Sequence, residues 1–170
     1  MPVEILVRKA TLDDARRIYR LIARHAREGR LLPRTLPDVT EHISRFLVAT
    51  ARGRLVGCAE LAPLSPLVAE VRSLVVGGRH RGKGLGRRLV AELRRRARQQ
   101  GFDELCAFVH DAGYFGRLGF STVPYARIPE KIEADSRQCP QFGQCGQAAM
   151  VTELRPFAEP RSHTVALRAL

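Results

Sequence analysis

A glycine-rich stretch between residues 77 and 86 carries the clearest chemical signal in the sequence. It follows the strand-like run Val71–Val76 and precedes a segment in which leucines recur at helical spacing. Glycine lets a backbone approach a ligand closely, and the first turn of a helix has N–H groups without helical partners. Those amides carry a partial positive charge. We therefore predict a diphosphate site at Arg81-Gly82-Lys83-Gly84-Leu85-Gly86.

Three alternatives remain for this stretch. The run Gly77-x4-Gly82-Lys83 resembles a nucleotide P-loop, but Gly84 stands where that loop needs a Ser or Thr for magnesium. A dinucleotide fingerprint requires G-x-G-x-x-G after the first strand, and the spacing of Gly82, Gly84 and Gly86 differs. The third alternative is a turn without a ligand, although glycines are costly to order.

A second motif lies farther along the chain, at Tyr114-Phe115-Gly116-Arg117-Leu118-Gly119-Phe120. Together with the pattern Arg-x-x-Gly-x-Gly at Arg81, Gly84 and Gly86, it resembles the two signatures of the GCN5-related N-acetyltransferases. The resemblance covers Val3 to Leu154. It implies one α/β (α+β) domain with a mixed central sheet of about six to seven strands flanked by helices. It also implies that acetyl-CoA is the co-substrate.

Five segments make one subgroup of that family more similar: Leu31-Leu32-Pro33-Arg34, Ala69–Leu74, Pro129–Ile132, Cys139-Pro140 and Ala149-Met150. They resemble the short, stand-alone N-acetylglutamate synthases of arginine biosynthesis. This resemblance implies transfer of acetyl to the amine of glutamate, or of glutamine as in some members. The sequence departs from the subgroup at Glu133 and Ser136, where Trp and Cys are usual. It also departs at Gly146-Gln147, where an acidic pair is usual.

The strand before the glycine-rich stretch is expected to hold the thioester. The resemblance implies that the backbone of Leu74, Val75 and Val76 binds the pantetheine arm. An N–H of Val75 or Val76 would stabilise the carbonyl oxygen. Glu70 lies six residues before Val76, so the two share a face unless a bulge intervenes, and the family's strand carries one. Glu70 is a candidate general base, with an ion pair to Arg72 as the alternative.

The proton donor for the leaving thiolate is ambiguous. The family's usual acid is a Tyr in the short aromatic helix, and that position is Phe115 here. Tyr114 is adjacent but is expected to point about 100° away around the helix. Solvent, the departing ammonium proton and His110 are alternatives. By resemblance, the coenzyme-binding residues are Leu74, Val75, Val76, Arg81, Gly82, Lys83, Gly84, Leu85, Gly86 and Phe115.

An acidic amino acid needs cationic partners for its carboxylates. By resemblance these are Arg34 in a proline-flanked loop, Arg72 on the central strand, and Lys131 in Pro-Glu-Lys. Each could instead be a solvated surface charge, because arginine is abundant in this chain. Lysine is scarce, so that alternative applies less to Lys131.

The chain is strongly basic, with a formal net charge of +12 carried almost entirely by arginine. Net charge alone cannot choose among nucleic acid, coenzyme and acidic metabolite, and a compositional preference for arginine is an equal alternative. The basic residues are spread through helices and loops, which disfavours a nucleic-acid partner. The function alternatives are an acetyltransferase for another amine, such as a polyamine or protein terminus, and a non-catalytic acyl-CoA-binding module. A homodimer is expected by resemblance.

The four cysteines are interpreted as free thiols in a reducing cytoplasm, because neither a signal peptide nor an apolar run of about 18 residues is present. Cys139 and Cys145 do not have the spacing of a zinc site, and Cys58 and Cys106 fall in apolar strands. We therefore predict no metal.

Local patterns predict the elements around these motifs. Residues 1–155 form the predicted N-acetyltransferase domain and residues 156–170 a C-terminal tail. The predicted strands are Val3–Val7, Phe46–Ala51, Leu55–Leu61, Val68–Val76, Glu104–Val109, one from Gly119, and Ala148–Leu154. The predicted helices run from about Thr11 to Gly29, from near Asp38, from Gly84 to Gln100 and from Gly113 to Leu118.

Overall fold

The computed structural model describes residues 3–29, 31–134 and 146–154. These residues form one seven-stranded mixed sheet with helices on both faces, as the sequence predicts. The strands are β1 (Ile5–Lys9), β2 (Phe46–Ala51), β3 (Arg54–Pro63), β4 (Val68–Val76), β5 (Glu104–Val109), β6 (Ser121–Val123) and β7 (Ala148–Glu153). The helices are α1 (Ala15–Arg27), α2 (Leu36–Glu41), α3 (Leu85–Gln99), α4 (Ala112–Arg117) and α5 (Pro129–Ala134).

The strand order is β1-β2-β3-β4-β5-β7-β6, and β4 with β5 is its parallel pair. A parallel pair needs a crossover connection, which α3 provides. The pairing of β4 with β5 runs only from Val68 to Glu70, opposite Glu104 to Cys106. Beyond Glu70 the two strands are no longer paired, which leaves a gap beside the second half of β4.

Both faces of the sheet are buried, so apolar residues alternate between two cores. Leu47 and Ala49 of β2 pack against α3, whereas Phe46 and Val48 of the same strand pack against α1 and α2. Ile18 contributes to the second core from α1. This alternation follows from the two-residue period of a strand.

The long helix α3 has the apolar face that the leucine spacing predicts, since Leu85, Leu89, Leu93 and Ala97 are all buried. Gly84 precedes the helix with φ +76° and Gly101 follows it with φ +86°. Both angles lie in the left-handed region, where glycine is favoured. The helix therefore begins and ends within one residue of its predicted limits.

Several element boundaries differ from prediction, and pairing or capping explains two of the differences. The first strand, predicted at Val3–Val7, lies two residues later at Ile5–Lys9, because its register pairs Ile5 with Ala51 and Lys9 with Leu47. Helix α4 begins one residue early because the Asp111 side chain accepts a hydrogen bond from the Tyr114 amide at 2.9 Å. The predicted tail, Ser136, Cys139 and Cys145 lie outside the described residues. Among those residues, no helix is both long and apolar enough to cross a membrane.

Candidate functional site

Strand β4 carries a bulge at the centre of the site. Its register pairs Arg72 with Glu60 and Val75 with Cys58, so Ser73 and Leu74 together oppose one residue of β3. Ser73 has φ +48°, an angle that costs a non-glycine residue roughly 1–2 kcal/mol. Its carbonyl accepts a weak hydrogen bond from the Cys58 thiol at 3.5 Å.

The bulge changes which side chains share a face of β4. Val75 packs in the core beneath α1, whereas Leu74 and Val76 contact the core beneath α3. The even spacing of Glu70 and Val76 predicted one common face in the absence of a bulge. The bulge is present, so that condition is not met, and the extra residue reverses the parity after Ser73.

The glycine-rich stretch forms a turn that leads from β4 into α3. Gly82 and Gly84 have φ of +71° and +76°, and the first hydrogen bond of the helix backbone runs from Arg88 N to Gly84 O at 3.1 Å. The amides of residues 85–87 therefore have no acceptor inside the helix. Lys83 is exposed beside them, and the Leu85 side chain is buried in the core.

Arg81 connects this turn to the rest of the fold. Its Nε donates to the carbonyl of Val76 at 3.0 Å, and one terminal nitrogen lies 2.6 Å from Nε2 of His25. His25 is buried in α1, and its Nδ1 lies 3.0 Å from the Leu21 carbonyl. The guanidinium of Arg81 thus fixes the end of β4 to α1.

The aromatic helix α4 lies against the first turn of α3. Phe115 is buried, and its ring packs edge to face on Phe120 at 5.3 Å. Tyr114 reaches the glycine-rich turn, since a Cβ built on Gly86 would come within 3.0 Å of the tyrosine hydroxyl. The helical spacing predicted that Tyr114 points away from this turn, so its position next to Gly86 was not expected.

Burial raises the pKa of the Tyr114 hydroxyl, against the opposing effects of Arg87 and Arg117. A raised pKa keeps the phenol protonated, which a proton donor requires. His110, the other side chain considered for this step, is exposed beyond the end of β5.

Glu70, Arg72 and Lys131 lie together in the structure. Glu70 is 4% exposed, and its Oε2 accepts a hydrogen bond from Arg72 Nε at 2.6 Å. Lys131 Nζ lies 2.9 Å from Glu70 Oε1 and 5.0 Å from the centre of the Phe108 ring. Burial lowers the pKa of Lys131, and the charge of Glu70 opposes that shift. The expected ion pair of Glu70 with Arg72 is therefore present, with Lys131 as a second cation.

Arg34 lies on the other side of the bulge and has three partners. Its Nε pairs with Asp38, and its NH1 donates to Glu60 Oε2 at 2.7 Å and to Ser73 Oγ at 3.2 Å. Burial acts to lower the pKa of Arg34, but the hydrogen bonds that Arg34 donates to its two carboxylate partners outweigh burial and raise it. Glu60 was not predicted as a site residue, since its only signal in the sequence is one acidic residue within the apolar segment Leu55–Ala62.

The described cysteines lie in the interior. Cys58 and Cys106 are free and buried, and burial raises the pKa of Cys58 to about 12. Burial likewise raises the pKa of Cys106. A thiol with a raised pKa is a poor nucleophile at neutral pH. Within residues 3–29, 31–134 and 146–154, no three His, Cys, Asp or Glu side chains are grouped to hold a metal ion.

Comparison with known sequences gives two levels of similarity. The chain is 36% identical over 148 residues to an uncharacterized N-acetyltransferase of Chlorobaculum tepidum, covering 87% of this chain and 96% of that protein. It is 31% identical over 135 residues to an amino-acid acetyltransferase of Neisseria meningitidis, covering 78% of this chain but 31% of the relative.

Comparison with solved structures likewise finds one larger protein and one of similar length. An N-acetylglutamate synthase of Neisseria gonorrhoeae, complexed with coenzyme A and N-acetyl-glutamate, aligns with a TM-score of 0.81 and 28% identity. The alignment covers 92% of this chain and 36% of that one, so our chain corresponds to about a third of the synthase. A Mycobacterium tuberculosis protein in complex with CoA shares the fold, with a TM-score of 0.77, 24% identity, and coverage of 88% and 99%.

The family model of the acetyltransferase (GNAT) family matches residues 11–120, which include β4, the glycine-rich turn, α3 and α4. That match covers more than half of the sequence, and it includes the two motifs that carried the resemblance. The chain belongs to the GNAT family of acetyl-CoA-dependent N-acetyltransferases.

Proposed function

We propose that this chain transfers acetyl from acetyl-CoA to the α-amine of a small acidic amino acid, with L-glutamate as the acceptor. The observation that carries the proposal is the group of Glu70, Arg72 and Lys131 beside the bulge of β4. Arg72 and Lys131 place two cations beside the bulge of β4, and such cations bind the carboxylates of an acidic acceptor. The similarity to amino-acid acetyltransferases supports the same class of substrate.

The coenzyme would lie in the gap between β4 and β5. Its diphosphate would accept hydrogen bonds from the amides at the start of α3, and its pantetheine arm would pair with the backbone of Leu74 to Val76. The amide of Val75 or Val76 would donate to the thioester oxygen as negative charge develops there, a contribution of about 3 kcal/mol.

In the reaction, the amine nitrogen attacks the thioester carbon, so that a C–N bond forms and the C–S bond breaks. Glu70 takes the proton of the ammonium group, directly or through water. Tyr114 gives a proton to the leaving thiolate, and its hydroxyl lies next to Gly86 at the start of α3. Arg72 and Lys131 bind the acceptor carboxylates.

Glutamine is the second candidate acceptor, and the surroundings of Arg34 favour it. The guanidinium of Arg34 already has two carboxylate partners, Asp38 and Glu60. A side-chain carboxylate on this side of the site would meet two negative charges for one positive charge, which a neutral amide avoids. The charge of the acceptor's side chain therefore distinguishes glutamate from glutamine.

The test measures thiol release from acetyl-CoA with glutamate, glutamine and a panel of other amines. We expect release with glutamate and a loss of at least about tenfold in kcat/KM for Lys131→Met, because one charged hydrogen bond is removed. Lys9→Met is the matched control, since Lys9 is exposed on β1. Release only with other amines would overturn the substrate, and no release with any amine would favour the acyl-CoA-binding module. Roles in arginine biosynthesis and in the cytoplasm follow from the same proposal.

A further inference from the structure

Glu60 is a carboxylate in the interior of the sheet. It lies in the middle of β3, between Phe46 and Arg72 on the neighbouring strands, and it is 0% exposed. Its Oε2 accepts the hydrogen bond from Arg34 at 2.7 Å. Its Oε1 is buried and has no hydrogen-bond partner within the described part of the chain, and NH1 of Arg45 lies 4.0 Å from it.

The buried carboxylate is connected to the bulge through one nitrogen. NH1 of Arg34 donates both to Glu60 Oε2 and to Ser73 Oγ. Arg34 is 26 residues from Glu60 and 39 from Ser73, so the contact exists only in the folded chain. Because Glu60 accepts a hydrogen bond from NH1 of Arg34, that nitrogen is fixed in position as a donor to the Ser73 hydroxyl.

The backbone of Ser73 has a positive φ, a conformation that contacts such as the one with Arg34 have to stabilise. Among the described residues, Ser73 and Arg52 are the two non-glycine residues with positive φ. Arg52 lies in the tight turn between β2 and β3, where positive φ is expected. Ser73 lies within a strand, where an extended φ is the lower-energy choice, so its conformation persists only if surrounding contacts hold it.

A contribution to the stability of the fold does not by itself explain the buried ion pair of Arg34 and Glu60. A buried ion pair contributes little net stability, since the desolvation of its charges offsets their attraction. A buried oxygen without a donor adds a further cost. An apolar side chain at position 60 would avoid both costs, and the neighbours of Glu60 from Cys58 to Ala62 are apolar.

We propose that Glu60 is a positioning residue for the acyl-transfer step. Acting through Arg34, it holds Ser73 in the left-handed conformation, which forms the bulge and aims the Val75 and Val76 amides at the thioester oxygen. This inference rests on the proposed function, because the amides matter only if an acyl group is bound there. The Glu60 carboxylate itself touches neither coenzyme nor acceptor.

The test compares Glu60→Met with the double variant Glu60→Met/Ser73→Gly. We expect Glu60→Met to lower kcat by up to about 100-fold, as a displacement of roughly 1 Å in the catalytic groups would do. KM for acetyl-CoA should change much less. Glycine adopts positive φ without strain, so the double variant should recover most of the lost kcat. Ser73→Gly alone sets the upper limit of that recovery.

The sign of φ at residue 73, measured by NMR scalar couplings, supplies a readout that needs no acceptor. We expect φ to become negative in Glu60→Met and to return to positive in the double variant. Unchanged φ and a kcat within about twofold of wild type would overturn the proposal, and so would a loss of kcat that Ser73→Gly does not restore. If wild type shows no turnover while φ responds as expected, the proposed function fails and the link from Glu60 to Ser73 stands.

A second variant covers the case in which Glu60→Met does not fold. Replacing both partners, in Arg34→Met/Glu60→Met, leaves no unpaired charge in the interior and is expected to keep the fold. Ser73 then loses its donor, so kcat should fall as far as in Glu60→Met. Wild-type kcat and positive φ at residue 73 in this folded variant would overturn the proposal.

Discussion

The imidazole of His25 accepts a hydrogen bond from the guanidinium of Arg81 at 2.6 Å, across 56 residues of sequence. Only one protonation state fits both contacts of the ring. The carbonyl of Leu21 can only accept, so Nδ1 carries the proton, and Nε2 is then free to accept from Arg81. His25 in α1 thereby holds Arg81, which follows β4 in the glycine-rich turn.

Replacement of His25 by Phe should weaken coenzyme A binding. The change removes an acceptor for a charged donor, which contributes about 1.5–3 kcal/mol, so we expect Kd to rise by about tenfold or more. Calorimetry with coenzyme A measures the effect. His25→Gln keeps an acceptor at the end of its side chain and should retain most of the affinity. If Arg81→Met and His25→Phe weaken binding additively, the two residues do not act through each other.

Replacement of Gly86 by Ala should disturb the same site by a steric route. The new Cβ would come within 3.0 Å of the Tyr114 hydroxyl, so either the tyrosine or the first turn of α3 has to move. Overpacking of this kind costs about 1–3 kcal/mol, and we expect the Kd of coenzyme A to rise by about tenfold. Gly116→Ala is the control, since its Cβ would meet nothing within 4 Å in α4. Equal affinities of the two variants would contradict the contact.

Replacement of Tyr114 by Phe should slow the chemical step and leave coenzyme binding unchanged. Loss of a positioned proton donor lowers kcat by about 100-fold. Because burial raises the pKa of Tyr114, wild-type kcat should persist to high pH and decline only when the phenol ionises. The variant should lack this alkaline decline. An unchanged pH–rate profile would assign the proton to solvent or to the departing ammonium group.

Replacement of Asp14 by Asn should lower stability without touching the site. Two nitrogens of Arg8 donate to the Asp14 carboxylate at 2.7 and 3.0 Å, and these bonds lower its pKa to about 2. A lowered pKa in the folded state adds stability above the ordinary aspartate value, near 3.8, and this stability is lost as pH falls toward 2. We expect the free energy of unfolding to fall by about 2 kcal/mol at pH 7.

Denaturant unfolding at pH 7 and at pH 2.5 to 3 checks this prediction. The difference in the free energy of unfolding between wild type and Asp14→Asn should shrink at the lower pH, because Asp14 of the unfolded wild-type chain is largely protonated there. Asp13→Asn is the matched control, because Asp13 is the exposed neighbour in the same turn. An equal loss of stability in both variants would show that Arg8 is not the cause.

Elements whose signals are local could be predicted from the amino-acid sequence. The glycine-rich turn and α3 were predictable because Gly84 and Gly101 permit positive φ and the leucines repeat at helical spacing. The hairpin of β2 and β3 followed from two β-rich runs around Arg52-Gly53, both of which have positive φ. Such signals depend on residues close along the chain.

The assembly of the site could not be predicted, because it depends on contacts made in the folded chain. The bulge reversed the faces of β4, and α4 turned the hydroxyl of Tyr114 toward the glycine-rich turn while it buried Phe115. Glu60 became an ion-pair partner of Arg34. Each outcome depends on contacts between residues that are distant in sequence, such as the 39 residues between Arg34 and Ser73. Residue type and spacing indicate which chemistry is available, but packing sets which groups meet, because burial and pairing are properties of the folded chain.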